Sequence, residues 1–131
     1  MGPIDLFIGI STLDIIHQVD TIPYQNEKMT SRKHLMVAGG CAANTAVAYA
    51  NLNGRARLVT PLGENLVSTF ILDKLRLRNV KIYDANPGSL NQTTLASILI
   101  NASSGDRAVI SSGSVNTHIT LPSSDQIRFI L

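Results

Sequence analysis

Cysteine occurs once in this sequence, at Cys41, and tryptophan not at all. A single cysteine cannot close an internal disulfide, so a reducing compartment is the simpler setting and a cytoplasmic location is expected. Charge is also scarce: charged residues are 15% of the chain and the net charge is +2. So small and scattered an excess offers no footing for nucleic acid or a membrane surface. Arg76 and Arg78 read as a solvated helix end complementing the helix dipole. Long apolar runs are missing too. The stretch from Ile4 to Ile10 is far too short to cross a bilayer, and no signal-peptide pattern accompanies it, so no membrane role is expected. No two glycines stand one residue apart, which removes the G-x-G dinucleotide fingerprint, and the Walker A sequence is absent. His17, His34 and Cys41 lack metal-ligand spacing and His118 stands far off, so no metal site is expected. No Ser/His/Asp grouping can be assembled from spacing. Asn91-Gln92-Thr93 and Asn101-Ala102-Ser103 match the short N-glycosylation pattern but carry little weight without a secretory context.

What the chain does have is the composition of one folded domain. Its 131 residues are 44% hydrophobic, enough to bury roughly two thirds of the unfolded surface. "IDLFIGI" reads as a buried strand of a parallel sheet. In "TLDIIHQV" an extended chain puts Ile15, His17 and Val19 on one face and Asp14, Ile16 and Gln18 on the other. That segment and "KMTSRKHLMV" (Lys28 to Val37) are too polar for core strands and point to a small sheet standing off the body. The alanines from Cys41 to Leu52 favour helix, closed by Asn53-Gly54 as a left-handed cap. "RARLVTPLG" reads as a core strand ending at Gly63. Leu66/Phe70, Val67/Ile71 and Ile71/Leu75 give the following segment the i,i+4 spacing of an amphipathic helix. "VKIYDA" is a short strand, "TTLASILI" and "RAVISS" form a hairpin around "NASSGD", and Ser123 and Ser124 are placed to cap a last helix. The order β, ββ, α, β, α, β, ββ, α is that of an α/β domain with extra antiparallel strands.

Two features carry chemistry. Gly39 and Gly40 open a helix, leaving backbone N–H groups free to meet whatever lies in front. Asn44, in the first turn, offers a donor and an acceptor without charge, which suits a hydroxyl-rich ligand better than a phosphate. The competing reading is a tight strand-to-helix contact with Asn44 as a satisfied buried amide. Asp14 lies just beyond the first strand, at the carboxyl end where open α/β sheets bind ligands. There it can accept hydrogen bonds from two sugar hydroxyls, or else serve as a turn residue. Cys41 near a helix N-terminus needs no role beyond packing.

"GGCAANTAVAYANLNGRARLVTPLG" resembles the N-terminal signature of the ribokinase-like, or pfkB, carbohydrate kinases. Gly39, Gly40, Asn44, Ala46 and Gly63 fall on the spaced positions of that signature, and Asp14 matches the aspartate that holds substrate hydroxyls. "TTLASILINASSGDRAVI" is similar to the family's strand, glycine-containing turn and strand. The resemblance implies a ribokinase-like, three-layer α/β core, of which residues 1–131 are the N-terminal substrate-binding part. It implies a small antiparallel β lid with strands at about 14–37 and 93–112. Asp14, Gly39, Gly40, Asn44, Ala96 and Ile98 would bind the substrate, a sugar or nucleoside, and the lids could pair in a homodimer.

Three positions depart from the signature. Asn53 stands where Gly or Ser is usual, a mild change because Asn tolerates the left-handed conformation. Asn65 and Ser68 replace the usual Asp and Gly after Gly63, with altered local packing expected and the fold kept. Larger is the absence of the Gly-Ala-Gly-Asp element and most of the nucleotide pocket, which in the family supply the catalytic base and bind ATP. The resemblance therefore implies ATP and Mg2+ for the complete enzyme and no catalytic residue in this chain. Arg107 is the nearest cation, and one arginine does not make an anion hole. The alternative expectation is a non-catalytic module that binds a polyhydroxy ligand or a partner chain.

Overall fold

The computed structural model describes residues 2–89, 93–113 and 119–131. Asn91, Gln92 and His118, which figured in the sequence patterns above, lie outside the described residues. Two sheets form. In the first, β1 (Ile4–Ile8), β4 (Arg55–Thr60) and β5 (Lys81–Asp84) run parallel in the order β1-β4-β5. In the second, β2 (Thr12–Val19), β3 (Lys33–Gly39), β6 (Leu95–Asn101) and β7 (Arg107–Ser111) take the order β3-β2-β6-β7.

Along strand β4 the alternate residues Ala56, Leu58 and Thr60 are fully buried on one face, while Arg55 and Arg57 belong to the other. Two helices cover that face. α1 (Cys41–Asn51) contributes Ala43 and Ala46, and α2 (Leu66–Arg76) contributes Ile71 and Leu75. In comparable cores a buried Leu or Ile of this kind is worth about 2–5 kcal/mol against alanine. The other face of β4 carries buried Val59, covered by α3 (Ser124–Ile130) through Ile130, whose carbonyl accepts from Arg57 Nε at 3.2 Å. The arrangement is the expected three-layer α/β core.

The helix boundaries follow from their caps. Asn65 Oδ1 accepts from Ser68 N at 2.9 Å to start α2, and Asn53 takes the left-handed conformation (φ 66) just beyond α1. Ser123 begins α3 in a capping box with Gln126, so Ser124 is the first helical residue and not the cap.

The second sheet is the lid, and it is one sheet. β2–β3 and β6–β7 are antiparallel pairs, as the hairpin patterns imply, but β2 and β6 join them side by side in parallel. No local sequence signal marks that seam. β3 begins at Lys33, later than the Lys28 expected from alternation, because residues 24–28 are exposed and Glu27 instead accepts from Tyr24 N. The turn between β6 and β7 is built by Asn101, whose Oδ1 accepts from Ser103 N and Ser104 N at 2.8 and 3.0 Å.

Candidate functional site

The strand register assembles the candidate site. On β2, Asp14 lies opposite Val37 of β3 and Ala96 of β6, and Ile16 lies opposite Leu35 and Ile98. Partners across a ladder share a face, and alternate residues of a strand point oppositely. Leu13, Ile15, Ala38 and Leu95 join the hydrophobic core. Asp14, Ala96 and Ile98 therefore share the lid face turned away from that core. Gly39, opposite Thr12, belongs to the same face.

Asp14 is held there by sequence-local means. Thr12 Oγ1, two residues back and so on the same side of the strand, donates to Asp14 Oδ1 at 2.7 Å. Gly39 makes the room. A Cβ on Gly39 would run into Asp14 Oδ2 and lie 2.8 Å from Asp14 Cγ and 3.0 Å from Thr12 Oγ1. Gly40 has a different reason to be glycine: its φ is 97°, and a Cβ would meet the Ile10 carbonyl and sit 3.2 Å from Ser11 Cα. As N-cap of α1 it supplies no side-chain hydrogen bond, so the first-turn N–H groups stay without a capping side chain.

Asn44 lies one turn into α1, where its N–H donates to the Gly40 carbonyl at 2.9 Å. Its side chain is exposed and makes no hydrogen bond among the described residues. It is thus not the satisfied buried amide of the packing reading. The alanines around it do serve packing: Ala43 and Ala46 are fully buried, and a Cβ on Gly9 of the chain leaving β1 would come 2.7 Å from Ala42 Cβ. Packing thus accounts for the alanines on the buried side of the helix, and Asn44 projects from the exposed side. No hydrogen bond joins Asn44 to Asp14; they are linked through Gly39 and Gly40.

Several residues that support the site were not singled out from sequence. Ser11 and Thr60 are fully buried, and Thr60 Oγ1 donates to Ser11 Oγ at 2.9 Å, tying the entry into β2 to the end of β4. Asp84, at the end of β5, accepts from Leu62 N and Asn86 N through Oδ1 and from Gly63 N through Oδ2, all at 2.9 Å. It fixes the loop leaving β4. The departing residues Asn65 and Ser68 meet buried Thr93, where the lid hairpin begins. Ser68 Oγ lies 2.6 Å from both the Leu62 carbonyl and Thr93 Oγ1, and Asn65 Nδ2 donates to Thr93 Oγ1 at 3.0 Å. The altered packing expected at these positions is therefore a hydroxyl and amide cluster that anchors the hairpin to α2. Thr12 was not singled out either, although its i,i+2 relation to Asp14 is a local signal that points to it; Ser11, Thr60, Asp84 and Thr93 act through contacts remote in sequence.

Arg107 joins Lys33, Gln18 and Ile100 in the last row of the Asp14 face, at the far end of the lid. Cys41 is exposed and free. Among the described residues no group of three or more His, Cys, Asp or Glu side chains converges to hold a metal ion.

The profile described as pfkB family carbohydrate kinase matches residues 6–128. The chain belongs to the pfkB carbohydrate kinase family. Ketohexokinase of Mus musculus is 27% identical to it over 105 residues, 80% of this chain and 35% of that protein. Ribokinase of Bacillus subtilis (strain 168) is 27% identical over 113 residues, 86% of this chain and 38% of that protein. The chain thus spans little more than a third of the length of these pfkB relatives. Among solved structures, Arabidopsis thaliana ribokinase complexed with ribose and ATP is similar with a TM-score of 0.76 and 22% identity, over 98% of this chain and 42% of that one. The nucleoside kinase of Methanocaldococcus jannaschii is similar with a TM-score of 0.67 and 22% identity, over 85% of this chain and 36% of that one. These likenesses make the fold ribokinase-like. Among the described residues of this pfkB chain, no helix is long and apolar enough to cross a membrane.

Proposed function

We propose that this chain is the acceptor-binding part of a pfkB-type kinase that transfers phosphate from ATP to a hydroxyl of a sugar or nucleoside. The observation that carries the proposal is the common lid face of Asp14, Gly39, Ala96 and Ile98, which follows from strand register and closes on the glycine pair at the start of α1. Asp14 accepts hydrogen bonds from two acceptor hydroxyls, held in orientation by Thr12. Gly39 and Ala96 flank it with minimal bulk, so a polyhydroxy ring can lie close to the backbone. Ile98 offers an apolar surface to the carbon skeleton, and the Asn44 amide gives one donor and one acceptor from the helix side. The first-turn N–H groups at Gly40 add uncharged polarity.

ATP with Mg2+ supplies the phosphoryl group when bound to the complete enzyme. For that role the described residues hold no converging group of three or more His, Cys, Asp or Glu side chains, and the cations Lys33 and Arg107 stand on the two outer strands of the lid. The part played by this chain is to bind and orient the acceptor.

Calorimetric titration with ribose, fructose and adenosine tests the assignment. Asp14→Ala and Asn44→Ala should each weaken binding of the preferred acceptor by about 1–3 kcal/mol, the loss expected when hydrogen bonds to a buried polar ligand are removed. Unchanged affinity in both variants would overturn the site. Saturable binding of a polyhydroxy ligand that the complete polypeptide never phosphorylates would favour the non-catalytic module instead.

A further inference from the structure

On the opposite side of the lid from Asp14, β2 and β3 bring two imidazoles together. His17 and His34 are register partners of the antiparallel pair, with ring centroids 6.2 Å apart and ring planes at 34°. His17 is half-buried and His34 exposed. The backbone ladder holds their Cα atoms in place, so only side-chain torsions remain to be set. Imidazole nitrogen is a good ligand for Zn2+, Cu2+ and Ni2+. With metal–nitrogen distances of about 2.0–2.1 Å, two rings on one ion have centroids roughly 5–6.5 Å apart, from tetrahedral to linear ligand angles. The observed separation lies near the linear end of that span, so side-chain torsions must draw the rings about 1 Å closer to meet a tetrahedral ion.

We propose that His17 and His34 form a two-histidine site for a late first-row divalent cation, of which Zn2+ is the practical probe. No third protein ligand completes it among the described residues, so water fills the remaining positions. Asp20, the nearest carboxylate after His17 in the chain, is engaged by Arg32. Cys41 lies on α1, beyond the end of β3 that is remote from His34. The ion crosslinks the middle of the lid to its edge strand, where Lys33, His34, Leu35 and Met36 are all exposed. A ligand that binds only the folded chain adds to its stability by mass action, so the metal strengthens the β2–β3 pairing that carries Asp14 on its other face. This inference stands on the lid register alone and does not depend on what binds the Asp14 face.

The test is calorimetric titration of the 131-residue chain with Zn2+, in a Cys41→Ser background that removes the thiol. One equivalent is expected to bind, His34→Ala and His17→Ala should each weaken it at least tenfold, and His118→Ala should leave it unchanged. Far-UV circular dichroism checks folding; if His17→Ala fails to fold, the exposed His34→Ala decides alone. Absence of saturable Zn2+ binding, affinity within twofold of the parent in His34→Ala, or loss of binding in His118→Ala would each overturn the proposal.

Discussion

At the scale of single residues, Gly39 and Gly40 share a dipeptide but not a reason. Gly40 is required by its own backbone, with φ at 97° and the Ile10 carbonyl where a Cβ would go. Gly39 is required by a neighbour, the carboxylate of Asp14. The difference is measurable. Gly39→Ala should displace Asp14, disturb its hydrogen bond from Thr12, and cost about 1–3 kcal/mol of stability, as overpacking of a tight site does. In an Asp14→Ala background the same substitution should cost much less, since the atoms it strikes are gone. Gly40→Ala should cost the same in either background. A double-mutant cycle by chemical denaturation reads both couplings, and strict additivity of Gly39→Ala with Asp14→Ala would refute the contact. The candidate site was legible in the sequence to this extent: the spacing Gly39, Gly40, Asn44 and the position of Asp14 after the first strand named its members. What spacing does not reveal is that Asp14 and Gly39 touch. That follows from an antiparallel register which pairs residues 27 positions apart, Thr12 with Gly39.

At the scale of elements, legibility follows the range of the interaction that makes each one. α1 and α2 were readable because alanine content, i,i+4 apolar spacing and caps all lie within a dozen residues. The β6–β7 hairpin was readable from its turn. The parallel β2–β6 seam was not, because its two strands meet only after two helices and three strands have intervened. Tertiary contacts also decide the loop after β4. Its Leu62 and Gly63 N–H groups find their acceptor in Asp84, more than twenty residues on. Asp84→Ala should leave these two donors and Asn86 N without that partner, at about 1–3 kcal/mol for each donor that water does not reach. Asp84→Asn keeps one carbonyl acceptor and should fall between alanine and the parent. Amide exchange should speed up first at Leu62 and Gly63, with a matching drop in thermal midpoint. Exchange at those amides unchanged in Asp84→Ala would show that the carboxylate does not hold the loop.

At the scale of the whole molecule, the balance of surface is unusual. A compact monomer of 14.1 kDa is expected to expose roughly 6,700 Å², whereas this chain exposes 8659 Å². Part of the difference is the lid, a sheet that stands off the body. Another part lies on the second face of the β1-β4-β5 sheet. There Ile8 is 42% exposed, and Leu121, Phe129 and Leu131 around α3 are 67%, 84% and 51% exposed. Among the described residues β1 is hydrogen-bonded to a neighbouring strand on one side only, so its other edge offers unpaired backbone groups next to this apolar surface. An open strand edge beside exposed aromatic and aliphatic side chains favours self-association, and a second copy of the chain is the partner always present. Sedimentation velocity over a hundredfold range of concentration should therefore show mass-action association of the 131-residue chain. Phe129→Ser and Leu131→Ser together should shift the equilibrium toward monomer, while His34→Ala on the distant lid should not. A concentration-independent monomer would mean that the open edge and the apolar face of α3 are tolerated in water. Association lost in His34→Ala but kept in the α3 variants would move the contact to the lid.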